Sequence, residues 1–148
     1  MIIYKKGDIL KDLSNLTILA HQANCRGVMS SGIAKQIVLY PEVNMAQRKM
    51  YEDGLQRLGA TQFINVNDGK LTIANLYAQK GTRIFPGQRL TDYDALRQCL
   101  NTLRQNMSDS NKLGMPKIGS GLGGGYWRVI SGIIEDIFKG MTVFVYER

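Results

Sequence analysis

Two stretches of this 148-residue chain carry the residue types and spacing that chemistry needs. One runs from Asn24 through Cys-Arg-Gly-Val-Met-Ser-Ser to Gly32, Ile33 and Ala34, directly after the apolar run Leu16–Ala23. The other is Gly119-Ser-Gly-Leu-Gly-Gly-Gly-Tyr-Trp127, directly after Met115-Pro-Lys-Ile118. Each reads as strand, glycine-rich loop, helix. Glycines let backbone N–H groups come close to an anion, and a following helix N-terminus adds roughly half a positive charge. Neither loop contains Gly-Lys-Ser/Thr, so neither is a P-loop. Neither sits in the βαβ context of a dinucleotide fingerprint. Two such loops at the carboxyl ends of strands in one small domain point to a ligand carrying a diphosphate.

The remaining reactive side chains are few. Cys25 and Cys99 form no CxxC, and His21 is the only histidine, so no zinc site is expected. Cys99 falls on the apolar face of a helical pattern and reads as a small buried hydrophobe. Cys25 lies beside the first loop without an evident base. The net charge of +7 favours anionic partners, whether phosphates, nucleotides or nucleic acid. The cations, among them Lys5, Lys6, Arg26, Lys35, Arg48, Lys49, Arg57, Arg83, Arg89 and Arg104, are scattered and form no polybasic tail. No apolar run approaches the roughly 18 residues of a membrane span. The N-terminus lacks an apolar signal segment, so a cytoplasmic location is the expectation. Nothing signals oligomerisation, and a monomer is expected.

The elements that must hold the loops follow from periodicity. Strands are expected over 2–5 and 16–23, then a helix over 32–40, punctuated by Pro41, and a second over 42–58 that stops at Gly59. Runs 61–67 and 70–78 flank Asn67-Asp68-Gly69, a strong hairpin signal. After a loop with Gly81, Pro86 and Gly87, Thr91 is expected to cap a helix with Asp92 and Asp94 in its first turn and Leu96, Cys99, Leu100 and Leu103 inward. A strand over 112–118, a helix over about 126–138 burying Trp127 and Ile130, and a strand over 141–146 complete the chain. The expected fold is α/β: one domain over 1–148, with a central mixed sheet of about six strands covered on both faces.

The ordered strings Gly7-Asp-Ile-Leu10, His21-Gln-Ala-Asn-Cys-Arg-Gly-Val-Met-Ser-Ser-Gly-Ile-Ala34 and Pro116-Lys-Ile-Gly-Ser-Gly-Leu-Gly-Gly-Gly-Tyr-Trp127 resemble a macrodomain. With Thr91-Asp-Tyr-Asp-Ala-Leu96, the likeness covers essentially the whole chain. It is greatest to small stand-alone macrodomains of phages and bacteria. These group with ADP-ribose-1″-phosphate phosphatases and with macrodomains that remove ADP-ribose from glutamate or nucleobases. The resemblance implies a three-layer α/β/α sandwich. It implies ADP-ribose or a derivative as ligand, with an ADP-ribosylated protein or nucleic acid as further partner, and no cofactor.

It also assigns residues. Asp8 matches the acid that accepts from the adenine amino group, a role compatible with capping a short turn, and Ile9 lines the same pocket. Asn24 matches the position facing the distal ribose. Met29, Ser30, Ser31, Gly32, Ile33 and Ala34 match the first phosphate loop. Gly119, Ser120, Gly121, Leu122, Gly123, Gly124, Gly125 and Tyr126 match the second. Hydrolytic relatives often keep an acid at the positions of Gly123 or Tyr126, and neither is acidic here. Some use a lysine where this chain has Gln79 followed by Lys80, so Lys80 reaches in only with a one-residue change of register. His21 matches a histidine of yeast-type ADP-ribose-1″-phosphate phosphatases, and Asp68 the acid proposed to work with it. The alternatives are a buried strand histidine and plain turn chemistry. Three functions follow: a hydrolase acting at the distal ribose, a reader of ADP-ribose without chemistry, and a nucleic-acid-associated protein acting on ADP-ribosylated bases.

Overall fold

The computed structural model describes residues 1–29, 32–81, 89–121 and 123–148. Six strands, β1 (Ile2–Lys6), β2 (Ile18–Asn24), β3 (Thr61–Val66), β4 (Leu71–Gln79), β5 (Leu113–Pro116) and β6 (Val143–Glu147), form one sheet in the order β1-β6-β5-β2-β4-β3. All neighbours pair in parallel except β3, which runs antiparallel to β4 at one edge. The helices are α1 (Gly32–Ile37), α2 (Pro41–Glu52), α3 (Tyr93–Gln105) and α4 (Trp127–Ile137).

Side-chain alternation divides the core into two layers. Ile18, Ala20, Ala74, Leu76, Leu113, Met115, Val143 and Val145 face α3 and α4, whose Leu96, Cys99, Leu100, Leu103, Ile130 and Ile134 pack on them. Leu19, Ile64, Val66, Leu71 and Ile73 face the other way, against Ile37 of α1 and Val43 of α2. This is the expected mixed six-stranded, three-layer sandwich. Among the described residues, no helix is long and apolar enough to cross a membrane.

Several boundaries differ from expectation for local reasons. The second helix ends at Glu52, not at residue 58. Gly54, with φ +70°, takes the left-handed position, and the amides of Gly54 and Leu55 bond back to the carbonyls of Tyr51 and Met50. That is a Schellman stop, which only a glycine adopts cheaply. The cap of α3 is Asp92, whose carboxylate accepts from the Ala95 amide, rather than Thr91. Trp127 is only half-buried, because its indole N–H reaches out to the Tyr4 hydroxyl. Pro86 and Gly87 lie outside the described residues.

Candidate functional site

β2 and β5 are neighbours in the sheet and run the same way, so the two glycine-rich loops leave it side by side at its carboxyl edge. The chain then diverges. After β2 it enters α1, which packs on one face, and after β5 it enters α4, which packs on the other. Diverging connections from adjacent parallel strands leave a crevice between them, where open α/β sheets place ligands.

The first loop is held from within and from below. Asn24 accepts from the Arg26 amide and donates to the Val28 carbonyl, so both ends of its amide stitch the turn. The Gly27 amide donates to Oε1 of Gln56, a buried side chain whose Nε2 is anchored on the Gln47 carbonyl. A Cβ on Gly27 would come within 2.8 Å of the Tyr51 ring. Met29 is buried in the core, and Ile33 and Ala34 pack against its margin. Gly32 opens α1. Ser30 and Ser31 lie outside the described residues. Because Asn24 ties Arg26 and Val28 together across this turn, Asn24→Ala should lower affinity for a ligand seated in the crevice by about tenfold, the worth of one or two hydrogen bonds. Titration calorimetry checks this, and wild-type affinity in the variant would show that the stitching is dispensable.

The second loop is moulded against the segment before α3. The Gly123 carbonyl accepts from the amides of Leu90 and Thr91 at 2.8 and 3.0 Å, and the Gly119 carbonyl accepts from the Thr91 hydroxyl at 2.8 Å. The Gly125 amide donates to the same Gly119 carbonyl. Ser120 Oγ donates to the Lys117 carbonyl. Gly121 and Gly124 are exposed, and so is the Tyr126 ring, although the Tyr126 amide is bound by the Tyr93 hydroxyl. Leu122 lies outside the described residues. Thr91 is the contributor that the sequence did not assign to this site, because a threonine before an acidic helix start reads as a cap.

Asp8 closes β1 at the same edge. One carboxylate oxygen accepts from the Leu10 amide and caps a short 3₁₀ turn, and the other meets the Arg148 guanidinium at 3.3 Å. Ile9 behind it is buried. Both carboxylate oxygens are thus engaged within the chain, one by the cap and one by Arg148.

The catalytic candidates do not converge. Asp68 is at the wrong end of the sheet. β3 and β4 are antiparallel, so the turn that joins them lies at the start of β4, while the loops lie beyond its end. The nine residues of β4 separate the two by roughly 26 Å. Asn67 and Asp68 both take positive φ there (53° and 56°), so turn geometry accounts for the pair. His21 is 1% exposed, under α1 and α2, with Nε2 2.5 Å from Asn75 Oδ1. The Asn75 amide nitrogen donates to Gln62, so its oxygen is the acceptor and the imidazole donates. Burial pushes the His21 pKa from 6.5 down to about 4, against the opposing pull of Asn75. A ring sealed from water and neutral at pH 7 is a packing group rather than a proton shuttle. Burial likewise raises the Cys25 thiol, with only partial relief from the Lys80 charge, so it is not a ready nucleophile.

Lys80 stands differently. Ala23 pairs with Tyr77 but Asn24 pairs with Gln79, so β4 carries one extra residue at Ala78. That bulge is a one-residue change of register at the mouth of the crevice. Lys80 follows it, exposed, and lines a cleft of about 420 Å³ with Arg89, Thr91, Asp92, Tyr93 and Asp94. Arg89 lies over the Tyr93 ring, 4.4 Å from its centre. Among the described residues, no group of three His, Cys, Asp or Glu side chains could hold a metal ion.

No family model matches the chain. A Bacteroides thetaiotaomicron structure, described as a protein of unknown function, superposes with a TM-score of 0.89 at 32% identity, covering 100% of this chain and 98% of that one. The DarG macrodomain of Mycobacterium tuberculosis superposes with a TM-score of 0.84 at 24% identity, covering 100% of this chain and 98% of that one. This chain has the macrodomain fold. A further relative is the ADP-ribose 1″-phosphate phosphatase of Saccharomyces cerevisiae, 28% identical over 99% of this chain and 98% of the yeast protein. The likeness to the yeast enzyme spans nearly the whole of this chain rather than one shared motif.

Proposed function

We propose that this macrodomain binds ADP-ribose in the crevice between its glycine loops and hydrolyses a group carried on the distal ribose, a 1″-phosphate in the first instance. The observation that carries the reading is the crevice itself. Two glycine-rich loops rise from adjacent parallel strands, with Asp8 at one end and the Asn24 turn of the first loop, beside β4, at the other. Adenine would donate its amino hydrogen to Asp8, the loop amides would take the diphosphate, and the distal ribose would lie toward Asn24. The whole-length relation to the yeast phosphatase supports the choice of ligand and of reaction.

In that reaction water attacks the 1″-phosphorus, the bond from phosphorus to the ribose oxygen breaks, and inorganic phosphate and ADP-ribose leave. The backbone amides and the Lys80 ammonium would stabilise charge on the transferring group, and positioning would supply most of the remaining rate. Calorimetry with ADP-ribose, followed by phosphate release from ADP-ribose-1″-phosphate, tests both halves. Lys80→Ala should lower release on the order of 10²-fold while ADP-ribose affinity changes by no more than a few fold. Release that is unchanged in Lys80→Ala removes the lysine from the mechanism.

One observation favours a second reading, a reader without chemistry. Gly119–Tyr126 contains no carboxylate to orient a water. Binding of ADP-ribose with no phosphate release and no removal of ADP-ribose from modified protein or nucleic acid would select it.

A further inference from the structure

We propose that Thr91, backed by Gln22, is the post against which the second glycine loop is shaped, so that a threonine outside both loops is a positioning residue for the anion-binding backbone. The inference rests on the reading of that loop as a phosphate binder.

Thr91 is 2% exposed, and its hydroxyl both donates and accepts a hydrogen bond. It donates to the Gly119 carbonyl at 2.8 Å and accepts from Gln22 Nε2 at 2.9 Å. The second hydrogen of that Gln22 amide goes to Gln79 Oε1 at 3.2 Å. Gln79 in turn bridges to Thr91 through the backbone and holds the Gly81 carbonyl through its own amide. Side chain and main chain of Thr91 therefore grip the loop at two points, Gly119 and Gly123.

The grip dictates where the loop's donors point. In a trans peptide the C=O and the next N–H project in opposite directions. Holding the Gly119 carbonyl on Thr91 therefore turns the Ser120 N–H away from Thr91, toward the open side of the loop. The same contacts explain the glycines. A Cβ on Gly119 would meet Gln22 Oε1 at 2.9 Å, and one on Gly123 would meet Thr91 Oγ1 at 2.4 Å and Gln22 Nε2 at 3.0 Å. The loop is glycine-rich on this side because the post stands against it.

Thr91→Val keeps the shape and removes the hydroxyl. It should bind ADP-ribose about tenfold more weakly, the loss expected for one buried hydrogen bond and the tilt it fixes. Exchange of the Gly125 amide, which is bonded to the Gly119 carbonyl, should accelerate by a similar factor, while Leu100 in α3 keeps its protection. Thr91→Ser, which restores the hydroxyl, should recover both. Wild-type affinity and exchange in Thr91→Val would overturn the proposal. So would acceleration spread equally through α3, or a Thr91→Ser variant as impaired as Thr91→Val. Should the wild-type protein fail to bind ADP-ribose, the ligand assignment falls, and the exchange comparison alone still decides whether Thr91 shapes the loop.

Discussion

Gly123→Ala is expected to lower ADP-ribose affinity by roughly 100-fold and to destabilise the protein by about 1–3 kcal/mol. The added methyl would lie 2.4 Å from the Thr91 hydroxyl oxygen and 2.8 Å from the Gly119 carbonyl oxygen. Neither neighbour is the free end of a long side chain. Thr91 is buried and short, and the carbonyl belongs to the loop backbone, so the loop must move. Moving it breaks the bonds from the Leu90 and Thr91 amides to the Gly123 carbonyl and tilts the peptide units proposed to hold the diphosphate. Gly121 supplies the comparison, since a Cβ there meets nothing within 4 Å. Gly121→Ala should melt within about 1 °C of wild type, as a surface change away from packed groups does. Calorimetry and thermal melts of the two variants check this. Equal stability of Gly123→Ala and Gly121→Ala would mean that the loop gives way easily and is not moulded against Thr91.

Acidification should expose His21. Its pKa is about 4 in the folded protein and 6.5 when freed by unfolding, because burial disfavours the imidazolium. Below pH 6.5 the unfolded chain takes up a proton that the native chain refuses until about pH 4. The stabilisation is therefore complete above pH 6.5 and is lost as pH falls toward 4, by about 3 kcal/mol over the window. Asp12 contributes in a separate range. Hydrogen bonds from Tyr146, then Asn15 and Lys5, lower its pKa from 3.8 to about 2, so its stabilisation fades only below pH 3.8. Urea unfolding at pH 7.5 and pH 4.5 isolates the histidine. Wild type should lose about 2.5 kcal/mol more between the two pH values than His21→Gln does. Parallel losses in both proteins would show that the imidazole is not sealed from solvent. For the same reason, ligand binding between pH 6 and 9 should carry no inflection from His21.

The fold was largely legible because its signals are local and periodic. Leu96, Cys99, Leu100 and Leu103 repeat at helical spacing and are all buried, and the Asn67-Asp68-Gly69 turn lies where its residues put it. The loops were legible for the same reason. What escaped was relational. Whether Asp68 can approach the crevice depends on which way β4 runs beside β2, and no spacing along the chain reports that. The apolar run around His21 announces a buried strand but not which face the ring takes. The extra residue at Ala78 is a property of the β2–β4 pairing and leaves no mark in composition. Thr91 was misassigned because Thr-Asp at a helix start offers two competent caps, and the one placed closer to the first turn took the role.

The order of strands also governs when this protein can assemble on the ribosome. β1 finds its neighbour only in β6, which follows every other strand of the sheet in the chain, with Ile2 beside Val143 and Lys6 beside Glu147. The Gly7 amide, next to Asp8, is likewise bonded to the Glu147 carbonyl. The nascent chain must therefore hold β1 unpaired until the other strands of the sheet have been made. The Asp8 end of the crevice is built only after β6 clears the exit tunnel, so a chain that lacks β6 offers a ligand only part of the site.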